Sequence, residues 1–570
     1  MKKIVIIILI MGIASQFSCK DVLETKFNKP NAITDASFGA LFTGLLQTWG
    51  LYIPVYGDEY HNLRNMNRLL GLGYFVGSYS SGPNSYADNQ LKMYTGWSGG
   101  NLRNALYTRM LVDAGKNLPV MNLKLANMRP EDQKSFEIYM HCTHITKAAM
   151  FQRLTDVYDD VPYSEAGGAY EGKYWPKYDK QKDIYYGILD NLKSVAERLH
   201  GYALNNSLAH INFKQADILL GGDILKWEKL CNSLRLRMAM RLSTIEPTKS
   251  KEVIGEIISK NLPTVSEADD FVGIEWKNKA TIFELSSFRS FKEVFFNQYA
   301  PYFVVNDVFG YKGETSAPGS YDPRLHVIFQ PNKYGKYLAL KPWGPEQEAQ
   351  LLQDYPADPD KKTVQTYDFD ENNNAYYSMY NKMTYFNFDM KFPVFTPSET
   401  HLILAEAAVR FPEIAGGVAP DAEYKKAISL SIDWYYSINN SNRYSGSSTP
   451  LIPGKIYDRS MYAKPDGSII NAFLANKTTY FSGLGKDDKI KEIFGQKFAH
   501  LNILGQYEIW ADARRLRKEY GLLVPRSTKV EWIERFQYPE SEPSINPDSF
   551  KSVMSKNDYS TPVWWTGRTQ

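Results

Sequence analysis

Two groups of side chains in this 570-residue sequence are of types that can do acid/base or metal chemistry. Glu165 with Asp159 or Asp160 could be posed as the acid/base pair of a glycoside hydrolase, whose two carboxylates lie about 5 to 10 Å apart across a cleft. Close sequence neighbours on one predicted turn do not provide that geometry. His141 and His144 offer two metal ligands at most, with no third ligand nearby. Both groups are interpreted as structural, so the sequence predicts no catalytic residue and no metal site.

Aromatic side chains are better candidates for a functional role. They make up 14% of the chain and include 40 tyrosines. A flat ring can stack on a pyranose while neighbouring amides and carboxylates bind the sugar hydroxyls. Rings of this kind lie in polar, Gly-rich or Pro-rich stretches, and five are predicted to contact a ligand: first Tyr79 and Tyr86, then Trp343, Tyr74 and Trp276. The alternative for each of them is buried packing.

The N-terminal residues predict export and lipidation. Two lysines precede an apolar run over residues 4–14, which is shorter than the roughly 20 residues that a membrane-spanning helix needs. Cys19 then stands where a lipoprotein signal peptidase would cut. Residues 1–18 are accordingly predicted to be a signal peptide, and acyl chains such as palmitate on Cys19 are expected to hold the protein on a membrane. Residues 20–570 are expected to lie in water.

Charge and cysteine content exclude several classes of protein. The 66 basic and 63 acidic residues nearly balance, so no net field favours nucleic acid as a partner. With Cys19 acylated, only Cys142 and Cys231 remain, which excludes a disulfide-scaffolded fold. No Pro-rich, Gly/Ser-rich or charged linker divides the chain, so residues 19–570 are predicted to be one domain.

Helical periodicity dominates the mature chain. Asp223 is placed to cap a helix that buries Trp227, and Thr396 is placed to cap another. Residues 396–440 have the pattern of a helical hairpin, and a last long helix is predicted over roughly 489–520. The sequence therefore predicts a mostly α-helical fold.

Long polar stretches separate these helices. Residues 71–99, 262–395 and 443–486 are punctuated by Gly, Pro and Asn and are predicted to be loops. Loops this long are uncommon in compact domains unless they carry a function, so the ligand site is expected among them. The acidic residues of 368–371 could supply oxygen ligands to a structural calcium ion, although the EF-hand spacing is missing. No other cofactor is predicted.

Six motifs in a fixed order are shared with a known family. The chain resembles the SusD/RagB family of nutrient-binding outer-membrane lipoproteins of Bacteroidetes, and the resemblance spans the whole chain. Asp159 stands where the family more often has glycine. The motifs are residues 156–166 (DVYDDVPYSEA), 221–243 (GGDILKWEKLCNSLRLRMAMRLS), 321–325 (YDPRL), 406–410 (EAAVR), 508–515 (EIWADARR) and 535–540 (RFQYPE).

The resemblance implies a fold, a partner and a location. Four tetratricopeptide-like helical pairs would form a scaffold, and long irregular insertions packed on it would form the ligand face. The protein would capture an oligosaccharide, or less often a peptide, and deliver it to a SusC/RagA-like TonB-dependent transporter. Its lipid anchor would place it on the cell outer membrane, facing the exterior. The family binds and does not break bonds, so no catalytic residue is inherited.

Two other functions remain as alternatives. A surface glycoside hydrolase or peptidase would need a catalytic set that converges in a cleft. A structural or adhesin-like lipoprotein would neither bind sugars nor co-purify with a barrel. Most motif residues are expected to have structural roles. Arg237 and Arg241, one helical turn apart, are expected to form ion pairs with carboxylates of a neighbouring helix.

Overall fold

The structure is a computed structural model of the chain. It describes residues 36–49, 107, 111, 114–274, 299–332, 335–339, 377–385, 387, 390–441, 463–524 and 532–568.

Helices make up most of this part of the chain. Those of nine residues or more are α1 (Phe38–Trp49), α2 (Ala114–Ala126), α3 (Pro130–Tyr158), α4 (Gln181–Leu199), α5 (Leu208–Ala216), α6 (Ile224–Arg241), α7 (Pro247–Ser259), α8 (Pro397–Arg410), α9 (Pro420–Ser441), α10 (Gly467–Ser482), α11 (Lys486–Leu501) and α12 (Gln506–Tyr520). Four-residue helices occupy Leu325–Ile328, Lys382–Tyr385, Glu542–Ile545 and Pro547–Phe550. None of the helices in these ranges is both long and apolar enough to cross a membrane.

The long helices pack as four successive pairs. These are α2 with α3, α4 with α6, α8 with α9, and α11 with α12. Each pair contacts the next, through α3 and α4, then α6 and α8, then α8 and α11. Their buried apolar side chains form one continuous core. The predicted mostly α-helical scaffold of helical pairs is confirmed.

Two small antiparallel sheets lie within the middle insertion. Strand β1 (Val272–Ile274) pairs with β4 (Phe392–Phe395), and β2 (Phe329–Gln330) pairs with β3 (Met379–Tyr380). The first sheet joins the two ends of the insertion, and the second joins two segments within it. The insertion was predicted to be loop with only short strand-like alternation, and the strands described in it are two to four residues long.

The predicted helix starts are confirmed. The Asp223 side chain accepts a hydrogen bond from the Lys226 backbone N–H at 3.0 Å, and Thr396 accepts one from the Glu399 N–H at 3.2 Å. Such caps satisfy backbone donors that the first helical turn leaves unpaired. Trp227 is fully buried, as its position on α6 predicts.

Two boundaries differ from the sequence prediction. Residues 443–486 are not all loop, because α10 lies within them; only Phe473, Leu474 and Phe481 of α10 are buried, a stripe too sparse to show as clear periodicity. The last long helix is two helices, α11 and α12. The helical conformation is interrupted at Asn502, whose φ of 39° is not helical.

The arginines of α6 hold carboxylates from other helices, as predicted. Arg237 pairs with Glu399 of α8 through two contacts of 2.7 Å. Arg241 pairs with Asp512 of α12 at 2.6 Å and also with Glu508. All five groups are buried, so these ion pairs form the centre of the scaffold rather than a surface site.

A buried histidine makes the stability of the scaffold depend on pH. His500 contacts Thr396 Oγ1 at 2.7 Å and Ser431 Oγ at 2.8 Å. Burial, with smaller effects of Arg324 and Lys497, lowers the pKa of His500 to about 3. An unfolded histidine titrates near pH 6.5, so below that pH the unfolded chain binds the extra proton and the folded chain does not.

We therefore expect the free energy of unfolding to fall as the pH drops from 7 to 5, with His500 contributing up to about 2 kcal/mol. Chemical denaturation at pH 7 and at pH 5 measures this for the wild type and for His500→Gln. The His500→Gln variant should be less stable at pH 7 but lose less stability on acidification. Equal losses in the two proteins would show that His500 is not the group responsible.

Candidate ligand-binding surface

The residues predicted from the sequence to act at the ligand and the membrane lie outside the described residues. These are the five aromatic residues Tyr74, Tyr79, Tyr86, Trp276 and Trp343, and the lipidation site Cys19. The acidic residues 368–371, considered for calcium, lie outside them as well. Their roles stay predictions.

Within the described part of the middle insertion, four aromatic side chains form one cluster. We define the insertion aromatic cluster as Tyr311, Tyr321, His326 and Tyr337. Ring centroids lie 5.1 Å apart for Tyr311 and Tyr321, 6.1 Å for Tyr311 and Tyr337, and 5.0 Å for His326 and Tyr337. Tyr311 is buried, and Tyr321, His326 and Tyr337 are half-buried.

The cluster is held in place by a fully buried ion pair beneath it. Arg324 donates to Asp322 Oδ1 at 3.0 Å, to Ser431 Oγ of α9 at 2.8 Å, and to Gln496 of α11. The Asp322 backbone N–H donates to the Phe309 carbonyl at 2.8 Å. The Asp-Pro-Arg motif thus anchors this part of the insertion to the helical scaffold and fixes the rings beside it.

A glycine lets the loop between Tyr311 and Tyr321 lie directly on α10. Gly319 has φ of 86°, a conformation that L side chains rarely adopt, and an added Cβ would lie 3.3 Å from the Ala472 Cβ. The Asn476 side chain donates to the Gly319 carbonyl at 3.3 Å. Helix α10, which lies in a stretch predicted to be loop, therefore supports the cluster.

Polar and charged groups surround the rings. Lys336 pairs with Glu314 at 3.2 Å, and the Lys312 ammonium donates to the Asn306 carbonyl at 2.8 Å. The Tyr321 hydroxyl lies 2.9 Å from His326 Nε2. Burial lowers the pKa of His326, which keeps the imidazole neutral at physiological pH.

This arrangement suits binding of a hydroxyl-rich ligand. Neighbouring rings of the cluster meet at 64° to 81°, so each offers its own face or edge rather than one flat platform. A ring face can stack on a sugar, and hydroxyl, imidazole and lysine groups can hydrogen-bond around it. Sequence reasoning missed this cluster, although Tyr321 directly precedes the Asp-Pro-Arg motif.

The carboxylates considered for acid/base catalysis have structural partners. Asp160 is buried and accepts from Lys180 and from the Gln181 N–H, both at 2.9 Å. Burial opposes ionisation of Asp160, but these hydrogen bonds and nearby Lys556 outweigh it and lower its pKa. Glu165 accepts from the Lys177 N–H at 3.0 Å. These groups stabilise the turn after α3.

Asp159 is strained and holds the C-terminal segment. Its φ is 72°, and its carboxylate accepts from Lys556 and from the Trp564 N–H at 2.9 Å, and pairs with Arg535 at 3.4 Å. Strain of this kind costs on the order of 1 to 3 kcal/mol in residues other than glycine. The interactions of the carboxylate offset that cost.

Both Asp159→Gly and Asp159→Ala should therefore destabilise the fold, because each loses the carboxylate. Glycine relieves the strain and alanine does not, so Asp159→Gly should be the more stable of the two by about 1 kcal/mol or more. Denaturant unfolding of the three proteins measures the order. Equal stability of the two variants would mean that the backbone at this position is not strained.

The histidines considered for metal binding are packed in α3. His141 is buried and His144 is partly buried. Burial, with help from nearby cations, lowers the pKa of each to about 4. Within the described ranges, no group of three or more His, Cys, Asp or Glu side chains is placed to hold a metal ion. Cys142 and Cys231 are buried free thiols.

Comparison with known proteins identifies the class to which this fold and surface belong. A SusD-like family model, described as starch-binding and associating with the outer membrane, matches residues 104–539. This match covers most of the chain, so the chain belongs to the SusD-like family. That family consists of binding proteins associated with the outer membrane. No curated protein matches the sequence.

Solved structures share the fold over almost the whole chain. A chitin-binding protein has 21% identity and a TM-score of 0.66, with 92% of this chain and 100% of that chain covered. A chitin-binding SusD homolog from Flavobacterium johnsoniae has 17% identity and a TM-score of 0.60, with 92% and 98% covered. A SusD homolog from Bacteroides fragilis has 18% identity and a TM-score of 0.62, with 93% and 100% covered. At these identities the likeness shows the fold alone.

Proposed function

We propose that this protein binds nutrient oligosaccharides without breaking them and passes them to a SusC-like TonB-dependent transporter in the outer membrane. The observation that carries the proposal is the partly exposed insertion aromatic cluster in a chain of the SusD-like family. Acyl chains on Cys19, after removal of residues 1–18, would hold the protein at the exterior face of that membrane.

Glycan is favoured over peptide by the chemistry of the cluster. Sugars need ring faces and hydroxyl or imidazole hydrogen bonds, and Tyr321, His326 and Tyr337 supply both. A peptide would be bound mainly through its backbone, for example by an open strand edge. Two proteins of similar fold are named as chitin-binding, so chitin oligosaccharides are the first ligands to test.

Calorimetry with chitin oligosaccharides, malto-oligosaccharides and short peptides tests the proposal. A stacking ring is worth on the order of 1 to 2 kcal/mol, so Tyr321→Ala and Tyr337→Ala should each weaken glycan binding about 5- to 30-fold. Tyr321→Phe keeps the ring and should lose less. The control Tyr174→Ala, an exposed tyrosine outside the insertion, should bind normally.

Unchanged affinity in a Tyr321→Ala/Tyr337→Ala double variant would contradict this site. The residues predicted from the sequence are tested in the same way. If the Tyr79/Tyr86/Trp343 triple alanine variant binds normally, those three residues do not form the site.

A further inference from the structure

The ammonium of Lys147, in helix α3, lies against two aromatic rings. Its Nζ is 5.1 Å from the ring centroid of Phe151 and 5.0 Å from that of Tyr163. The two rings meet edge to face, with their centroids 5.1 Å apart and their planes at 73°. Phe151 is fully buried, whereas Lys147 and Tyr163 are half-buried. The amine is therefore flanked by apolar groups on a residue that keeps partial contact with solvent.

The polar groups near Lys147 leave its charge without a close counter-ion. In the part of the chain that the structure describes, no carboxylate forms an ion pair with this ammonium. Asp179 attracts it through space, but the Asp179 carboxylate accepts from the N–H groups of Tyr163 and Ser164 at 2.9 and 2.8 Å. It also accepts from the Ser164 hydroxyl at 2.8 Å. His144, one turn earlier on α3, is neutral near pH 7, because burial lowers its pKa to about 4.

This environment favours the neutral form of the amine. Burial outweighs the attraction of Asp179 and lowers the pKa of Lys147 to about 8. At pH 7 about 10% of such an amine is neutral, against less than about 0.1% of an ordinary lysine. Only the neutral amine has a lone pair that can attack a carbonyl carbon. Enzymes activate the lysines that form imines in the same way, by placing the amine against apolar groups.

We propose that Lys147 is a covalent modification site for aldehydes, including the open-chain form of reducing sugars. The amine lone pair attacks the aldehyde carbon and forms a C–N bond. The carbonyl oxygen then leaves as water with both amine hydrogens, which gives an imine and needs no oxidant, reductant or activated donor. The inference is independent of the proposed function, because Lys147 lies on the scaffold helix α3 and the insertion aromatic cluster takes no part in the reaction.

Reductive alkylation of the folded chain with limiting acetaldehyde and sodium cyanoborohydride tests the proposal. Cyanoborohydride reduces each imine to a stable N-ethyl amine, and peptide mass spectrometry gives the rate at each lysine. At pH 7, Lys147 should react at least about 10-fold faster than Lys134, an exposed lysine of the same helix. This ratio should fall as the pH rises from 7 to 10, because the Lys147 amine is then largely neutral while ordinary lysines are still losing protons.

Two variants separate activation by burial from simple access to the reagent. Tyr163→Phe keeps the ring and should keep the fast rate at Lys147. Tyr163→Ala removes one ring and lets water hydrate the ammonium, so the rate should fall toward that of Lys134 even though the amine is more open. A faster reaction of Lys147 in Tyr163→Ala would overturn the proposal. Equal rates at Lys147 and Lys134 in the wild type would also overturn it, and that comparison depends on neither variant.

Discussion

Arg241→Ala should destabilise the fold by about 3 to 5 kcal/mol, because it leaves a cluster of buried carboxylates without its central cation. Arg241 is 1% exposed and pairs with Asp512 at 2.6 Å, with Glu508, and with Asp156 at 3.5 Å. Burial disfavours the charge of Asp512, but Lys497, Arg515 and Arg241 outweigh it and hold the pKa of that carboxyl well below its usual range.

Denaturant unfolding measures this effect, and two further variants separate charge from geometry. Arg241→Lys keeps the charge but not the forked contacts, so its loss should be smaller. Arg129→Ala removes an arginine whose ion pairs with Glu131 and Asp132 lie at the surface, and should change stability by less than about 0.5 kcal/mol. Stability of Arg241→Ala within that same range would contradict a central role for the ion pairs.

Trp227→Ala should cost about 3 to 5 kcal/mol, the usual range for removing a large buried aromatic side chain. Trp227 is fully buried, and its indole N–H donates to Asp217 Oδ2 at 2.7 Å. Its ring lies 6.0 Å from that of Phe42, so it also joins α1 to α6. Removal of the indole should therefore weaken the packing between α1 and α6.

Thermal unfolding of Trp227→Ala, Trp227→Phe and Trp175→Ala checks the cause. The phenylalanine variant keeps a buried ring but loses the hydrogen bond and part of the ring volume, while Asp217 keeps its bonds from backbone N–H groups. Its cost should therefore be smaller than that of the alanine variant, on the order of 1 to 2 kcal/mol. Trp175→Ala removes an exposed indole and should be nearly neutral. Similar melting temperatures for all three variants would contradict the packing described for Trp227.

Local features of the fold could be predicted from the sequence because their causes are local. The cap residues Asp223 and Thr396 and the buried position of Trp227 depend on contacts within a few residues or on helical spacing. Even the need of Arg237 and Arg241 for carboxylates could be predicted. The carboxylates that pair with these two arginines could not be named, because Glu399, Glu508 and Asp512 lie on helices far along the chain.

Features that depend on contacts between residues far apart in sequence could not be predicted. The break between α11 and α12 depends on Asn502, whose side chain accepts a hydrogen bond from the Tyr380 hydroxyl at 2.9 Å, across 122 residues of sequence. The insertion aromatic cluster likewise depends on Arg324 reaching α9 and α11. No local pattern encodes such contacts, so the sequence could favour loop aromatics as a class without bringing Tyr321 and Tyr337 together.

We propose that this SusD-like protein binds glycans and leaves them intact. Native mass spectrometry of the lipid-free chain with a panel of oligosaccharides, followed by chromatography of the same mixtures after prolonged incubation, tests both parts at once. The predicted result is a complex with at least one glycan class and complete recovery of the intact oligosaccharide. Cleavage products, or no complex with any glycan on the panel, would contradict it.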